Sequence, residues 1–534
     1  MNWNLPFSSG RQPVLARNMV STSQPLAAQA GAAVFARGGN AIDAALAAAI
    51  TLTVVEPTMN GIGGDAFALV WDGESLHGLN ASGRSPAAWS AERFAGHEKM
   101  PGLGWDSVTV PGGVSAWVAL SNRFGKLPFQ DLFTDAIRHA RDGFPVSPVI
   151  ARQWAQAVKE LADQPGFGAF MPKGRAPHVG ELWRFAEQAD TLQEISNTGG
   201  ESFYRGRLAT MMADYAAEHG GALTGSDLAA HQPEWVCPVN VDFRGHKVHE
   251  IPPNGQGLAA LIALGLIEHL PYDAAPVGSA ARMHLEIEAM RMAFADLQEH
   301  VGDPAHMRVT AEQLLSRTHL LERARLINPN RAGRYAACNP PVGGTVYLCT
   351  ADAECRMVSF IQSNYKGFGS GVVVPGTGIA LHNRGIGFVT TPGHVNQVAG
   401  GKRPLHSIIP AFVTGADGQP VMAFGVMGGN MQAQGHVQMV LRHVVEGRNP
   451  QAASDAPRWR INDAATLTLE STVPREVVNE LIAMGHHPQV APVENLDFGS
   501  AQIIVRLDET IAGSSDPVYA AGSDHRRDGQ AVGC

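Results

Sequence analysis

A threonine that follows two glycines can carry both halves of a reaction on one residue. In "PPVGGTVYLCTADAE" Gly343 and Gly344 precede Thr345, and the β-branched run that Thr345 opens reads as a strand. Cutting the Gly344–Thr345 peptide bond would leave Thr345 with its hydroxyl beside a free α-amine. Such an amine has an ordinary pKa of about 7.7 to 8.0, so near neutral pH part of it is unprotonated and can take the hydroxyl proton. Nucleophile and base would then belong to the same residue. The chain can in principle make the cut itself. The hydroxyl attacks the Gly344 carbonyl, the acyl group shifts from nitrogen to oxygen, and water hydrolyses the resulting ester. Glycine ahead of the threonine eases the strained backbone that this attack requires. The bare tripeptide also has a plainer reading, a Gly-Gly turn that opens an ordinary strand.

The other reactive side chains form no comparable arrangement. Cys237, Cys338, Cys349, Cys355 and Cys534 make neither a CxxC nor an even set, and Cys355 has no recognisable base beside it, so the expectation is reduced, buried or incidental thiols. The 21 histidines are scattered, and His486 and His487 in "GHHP" read as a loop leaving a helix. Without HExxH or Cys/His ligand spacing, neither a metal nor a cofactor is expected. "RGGNAIDA" and "NGIGGD" lack the strand–GxGxxG–helix or GxxxxGK[ST] context of nucleotide loops.

The elements that must position Thr345 are legible in outline. "SQPLAAQAGAAVFARGGNAIDAALAAAITLTVVEP" predicts two helices, the first closed by Gly38 and Gly39 and the second capped by Asn40. The second is Ala-rich on nearly every face and should be buried. "DAFALVWDGESLHGLNASGRSP" predicts a hairpin turning at Asp72 and Gly73. Helical patterns dominate from Gly113 to Ile327, and an exposed linker containing Pro340, Pro341, Gly343 and Gly344 follows. After it come "RMVSFIQSNY", "AQIIVRLD" and a late helix near "VPREVVNELIAMG" ended by Gly485. The expected class is α+β, with sheet concentrated after the linker and helices packed outside.

Composition bounds the rest. The length of 534 residues suggests about three domains as a prior, or one large layered domain. A hydrophobic fraction of 45% with 17% charged residues describes a globular chain with a large core. A net charge of −9 without basic blocks argues against nucleic acid. The N-terminus lacks the apolar run of a secretory signal, and "AIDAALAAAITLTVV" is too short for a bilayer and carries Asp43. A cytoplasmic protein without membrane contact is expected.

An ordered set of motifs resembles the γ-glutamyltranspeptidase family of N-terminal-nucleophile hydrolases over nearly the whole chain. The set comprises "STSQPLAAQAGAAVFARGGNAIDAALAAAITLTVVEPTMNGIGGDAF", "SGRSP", "VPGGVSAW", the junction at Thr345, "GFGSGVVVPGTGIALHNRG", "PLHSIIPAFV", "VMGGNMQAQGH" and "GSDHRRDGQAVG". The resemblance implies a four-layer αββα fold built jointly by two subunits after self-cleavage of a zymogen. These would be a mostly helical large subunit, residues 1–344, and a sheet-rich small subunit, residues 345–534; a dimer of such heterodimers is compatible. It further implies Thr345 as nucleophile, Ser363 as the hydroxyl supporting its amine, and the N–H groups of Gly428 and Gly429 as the oxyanion hole. Arg84 would clamp the donor's carboxylate.

The family's pocket for an α-amine is not preserved. Tyr365 stands in place of an asparagine, Arg384 of a glutamine, Gly387 of an aspartate, and His406 and Ser407 replace a serine pair. Losing a carboxylate and gaining a guanidinium reverses the preference for an ammonium. The expected substrate is a small acid amide without an α-amino group, as in the oxamate amidohydrolase type, which releases oxalate and ammonia in purine or urate catabolism. Alternatives are a glutaryl-type cephalosporin acylase, a glutathione hydrolase or γ-glutamyltransferase with transfer to an amine, and a non-catalytic binding protein that keeps the pocket. Retention of Thr345, Ser363 and the Gly-Gly pair argues against the last.

Overall fold

The computed structural model describes residues 10–335, 344–462, 466–492 and 495–534. Two seven-stranded sheets form its centre. In chain order their strands are β1 (Val14–Ala16), β2 (Met19–Thr22), β3 (Asp65–Trp71), β4 (Leu76–Asn80), β5 (Glu234–Val236), β6 (Val239–Phe243) and β7 (His246–Glu250), followed by β8 (Gly344–Ala351), β9 (Met357–Tyr365), β10 (Ala411–Gly415), β11 (Pro420–Val426), β12 (Ala501–Arg506), β13 (Tyr519–Ser523) and β14 (Gln530–Gly533). One sheet runs β14-β2-β8-β9-β3-β4-β5 and the other β1-β13-β12-β11-β10-β7-β6, and all neighbours are antiparallel.

The sheets pack face to face, with β8 and β9 against β11 and β12. Helices cover both outer faces. The helices α1 (Pro25–Ala36) and α2 (Ala41–Val55) lie on the first sheet; α3 (Gly257–Ile267) and α5 (Met431–Val440) lie on the second, with α4 (Ala280–His300) outside α3. This is the four-layer αββα arrangement; one large hydrophobic core runs through it, and a small second cluster gathers around Trp89, Phe94 and Phe388.

Burial explains the central strands. Every residue of β3, β8 and β9 is buried, because one face meets a helix layer and the other meets the opposing sheet, so their sequences show no polar alternation. Helix α2 is likewise buried at all its positions, and its alanines let the backbone approach the sheet closely. Asn40 and Asp43 form a capping box at its start. The buried Asp43 carboxylate is satisfied by the N–H groups of Asn40, Lys126 and Leu127.

The hairpin forms as expected between β3 and β4, with Asp72 Oδ1 accepting from the N–H groups of Glu74 and Ser75. The late helix spans Arg475–Ala483 and ends before Gly485, whose φ of 92° is readily adopted only by glycine. The expectation that sheet concentrates after the linker is corrected: both sheets take strands from both sides of residue 344. The middle third is mainly helical but also supplies β5, β6 and β7. Cys338, Pro340, Pro341 and Gly343 lie outside the described residues. No helix among the described residues is long and apolar enough to cross a membrane.

Candidate active site

Thr345 sits at an irregularity in the first sheet. Gly344 pairs with Tyr365 and Val346 with Gln362, so Thr345 alone opposes Ser363 and Asn364. Such a bulge re-aims a side chain that a regular ladder would hold flat. The residue is 1% exposed. Its hydroxyl donates to the Gly344 carbonyl at 2.7 Å and lies 3.3 Å from Ser363 Oγ. Ser363 Oγ donates to the same carbonyl at 2.6 Å and accepts from the Tyr365 N–H at 2.7 Å. The scissile carbonyl expected from the sequence is therefore polarised by two hydroxyls. Gln432, in the first turn of α5, donates from Nε2 to Thr345 Oγ at 3.2 Å.

Gly428 and Gly429 form the turn between β11 and α5, with φ of 115° and 62°. Neither N–H donates a hydrogen bond to any group among the described residues, although the carbonyl of Gly429 accepts from Gln256 Nε2 at 2.9 Å. The same nitrogen bonds the Ser407 carbonyl, so Gln256 ties the glycine turn to the 406–407 segment. The positive end of α5 lies just beyond the two free donors.

Beside the nucleophile strand lies a buried polar network. The Arg384 guanidinium, 1% exposed, stands 4.4 Å above the Tyr365 ring and donates to Ser407 Oγ at 2.9 Å. Its Nε and second terminal nitrogen have no acceptor among the described residues, and the buried Tyr365 hydroxyl is also without a partner there. Tyr365 adopts φ of 72°, an uncommon backbone state for an aromatic residue. Burial pulls the Arg384 pKa down to about 10, which leaves it a cation at neutral pH.

Asp65, opposite Ser363 on β3, balances that charge. Its carboxylate accepts from the N–H groups of Gly83 and Gly112 at 3.3 and 3.0 Å and from His406 Nε2 at 3.0 Å. Burial opposes its charge, but His382, His406 and Arg384 outweigh it and hold the carboxyl well below the usual range. Burial and Arg384 push His406 down to about 3, so the imidazole is neutral, donating from Nε2 and accepting the Ile408 N–H on Nδ1.

The structure thus gathers Thr345, Ser363, Tyr365, Arg384, His406, Ser407, Gly428 and Gly429 around one end of β8 and β9. His406 faces Asp65, and Ser407 is committed to Arg384. Arg84 follows Gly83, whose N–H binds Asp65. Its side chain is 44% exposed, and its guanidinium contacts Asp303 at 3.2 Å, the Gly401 carbonyl at 3.1 Å and Glu234 at 3.5 Å. Gly387 has no room for a larger residue: a Cβ there would lie 2.4 Å from the Leu405 carbonyl oxygen. An aspartate cannot occupy that position as the loop stands.

Sequence reasoning missed Asp65, Gln256 and Gln432. A charged residue inside the otherwise apolar "GDAFALVW" was the available signal for Asp65; the glutamines carried none. His486, read as a helix-exit residue, meets His284 and Glu288 of α4 in a group that could hold a metal ion. Its atoms are already engaged. His284 Nε2 donates to the Asn328 carbonyl at 2.8 Å, the two imidazoles share a hydrogen bond at 2.7 Å, and Glu288 accepts from Arg291, Gly333 N–H and the Tyr335 hydroxyl. The Arg291 cation, 3.4 Å from His486 Nδ1, opposes a second cation. Of the free cysteines, Cys349 is buried in β8 and Cys355 is half-buried; burial pushes both thiols up, away from the reactive thiolate.

A model of the gamma-glutamyltranspeptidase family matches residues 27–534. The chain belongs to the γ-glutamyltranspeptidase family. Within that family it is 35% identical to a Klebsiella pneumoniae protein called oxamate amidohydrolase proenzyme, over 94% of this chain and 97% of the relative. It is 34% identical to the Bacillus subtilis glutathione hydrolase-like YwrD proenzyme, over 97% and 98%. The crystal structure of a cephalosporin acylase from Bacillus halodurans superposes with a TM-score of 0.94 at 48% identity, covering 100% of this chain and 99% of that one. These γ-glutamyltranspeptidase-family relatives support amide hydrolysis as the shared activity; their names divide over the substrate.

Proposed function

We propose that this protein is a self-processing amidohydrolase that cleaves the amide of a small carboxylic acid lacking an α-amino group, with oxamate as the preferred candidate. The observation that carries the reading is the buried Arg384 guanidinium, two of whose donor nitrogens are unclaimed among the described residues, stacked on Tyr365, whose hydroxyl is likewise unclaimed there, where Tyr365 pairs with Gly344. A fork of guanidinium N–H groups suits a planar carboxylate, and the tyrosine adds a third donor. An ammonium would meet a cation there. Asp65, the one carboxylate beside Arg384 in this network, has both oxygens occupied by N–H donors.

In the proposed mechanism Arg384 and Tyr365 hold the acid. Self-cleavage after Gly344 frees the Thr345 amine, Thr345 Oγ attacks the amide carbon, and the amine takes the hydroxyl proton and passes it to the leaving nitrogen. Gly428 and Gly429 N–H groups receive the oxyanion, and Ser363 orients the amine. Water then hydrolyses the acyl ester, regenerating the Thr345 hydroxyl and the free acid. Arg84, 44% exposed and bonded through Nη1 to Asp303 and the Gly401 carbonyl, keeps Nε and part of Nη2 for the rim of the site, where it could add to carboxylate binding. The product is a pair of chains, residues 1–344 and 345–534, acting as one enzyme.

A second reading, a glutaryl-type acylase, rests on the structural likeness to the cephalosporin acylase. Turnover of oxamate, a glutaryl anilide and a γ-glutamyl anilide separates the candidates. Oxamate or the glutaryl compound should exceed the γ-glutamyl compound, with Thr345→Ala inactive and unprocessed. Equal or faster turnover of the γ-glutamyl compound would overturn the electrostatic argument.

A further inference from the structure

We infer that Gln432 is a catalytic hydrogen-bond donor to the nucleophile, stabilising negative charge on Thr345 Oγ during self-cleavage and again when the acyl ester is hydrolysed. The inference rests on the reading of Thr345 as nucleophile. Its basis is a side chain with no freedom to do otherwise. Gln432 is fully buried, its backbone N–H is held by the Gly429 carbonyl at 3.1 Å, and its Oε1 accepts the Ile409 N–H at 2.9 Å. With Oε1 pinned to a donor, Nε2 is the atom that faces Thr345 Oγ at 3.2 Å. The amide orientation is thus fixed by its partner.

A donor at this position does something that the oxyanion hole does not. Gly428 and Gly429 would serve the carbonyl oxygen, whereas Gln432 serves the threonine oxygen itself. In the precursor that oxygen uses its proton toward the Gly344 carbonyl and one lone pair toward Gln432. In self-cleavage the Oγ–C bond to Gly344 forms, the C–N bond to Thr345 breaks, and the hydroxyl proton ends on the Thr345 nitrogen. Water then adds to the ester carbon, the Oγ–C bond breaks, and Oγ leaves carrying the electron pair until a proton from that water reaches it. Oγ bears negative character entering the first step and leaving the second. A hydrogen bond to an ionised oxygen is about twice as strong as one to a neutral oxygen, so the Gln432 N–H gains strength at the moment of bond making and breaking. The ribbon of contacts from Ile409 through Gln432 to Thr345 also places the first turn of α5 against the nucleophile, with Gly428 and Gly429 immediately before it.

Self-cleavage supplies a test that needs no substrate. Freshly purified precursors of wild type, Gln432→Met, Gln432→Glu and Thr345→Ala are followed on denaturing gels over a pH series, with melting temperatures recorded in parallel. Gln432→Met, similar in size but without a donor, is expected to cleave about tenfold more slowly or worse. Gln432→Glu keeps the acceptor for Ile409 and offers a donor only when protonated, so its cleavage rate should rise relative to wild type as the pH is lowered. A merely structural role predicts no such pH dependence. Gln432→Met and Gln432→Glu cleaving at the wild-type rate at every pH would overturn the inference. If Gln432→Met fails to fold, the pH response of Gln432→Glu decides alone. Two chains from Thr345→Ala would instead sink the nucleophile assignment, whatever Gln432 does.

Discussion

Burying a guanidinium while leaving two of its nitrogens without acceptors is unfavourable unless a ligand supplies them. Among the described residues Arg384 is that case, and removing it tests the pocket directly. Arg384→Ala should lower kcat/KM for oxamate by about 100-fold or more, mostly through KM, and Arg384→Lys should recover little because an ammonium lacks the fork. Steady-state kinetics on both variants checks this, with self-cleavage as the folding control. His406 gives a residue-scale expectation in pH. Its folded pKa of about 3 lies below the unfolded value of about 6.5, so the folded state refuses a proton that the unfolded chain accepts. Its contribution to stability is present above pH 6.5 and is lost as pH falls toward 3. In urea melts, His406→Gln should flatten that acid slope by up to about 1.4 kcal/mol per pH unit. The proposed site residues that the sequence offered, Thr345, Ser363, Gly428 and Gly429, lie inside ordered motifs. Asp65 and His406 meet across 341 positions, and Gln432 and Thr345 across 87, separations over which no local spacing rule operates. The contact between Arg84 and Asp303, 219 residues apart, was hidden for the same reason.

The turn between β11 and α5 concentrates the demands made on an element. Gly428 combines φ of 115° with a close neighbour, and a Cβ would stand 3.1 Å from the Gly499 Cα. Gly428→Ala should therefore tilt or withdraw the proposed oxyanion donors, and turnover should fall by about 100-fold or more while the two-sheet core still melts cooperatively. Activity and calorimetry on the same preparation distinguish that outcome from global unfolding. Helices α1 and α2, the β3–β4 hairpin and the late helix were legible because caps and turn residues mark their ends. Strands β1 and β2 were not. They are three and four residues long, and β2 is buried throughout, so neither length nor alternation announces it. The bulge at Thr345 was equally silent, because it exists only in the register against β9.

The two sequence halves do not form two bodies. Strand β8 lies between β2, from the early part of the chain, and β9, which pairs in turn with β3. Cutting before Thr345 would leave both products sharing each sheet and the core between the sheets. The processed chains should co-elute in native gel filtration and part only in denaturant; separation in native buffer would contradict this arrangement. The expected four layers were legible through the motif order, whereas the interleaving of early and late strands was not, because it depends on long-range pairing. That interleaving bears on when the enzyme can switch on. The neighbour of β2 on its far side is β14, Gln530–Gly533, which also closes against the early strand by its pairing with Met19–Thr22. The nucleophile strand is flanked by β2, which is covered in turn by β14, so without β14 the sheet beside Thr345 is incomplete. Self-cleavage would act as a checkpoint on closure of that sheet: deleting residues 530–534 should delay the appearance of two bands, and an undiminished rate would show that activation does not wait for β14.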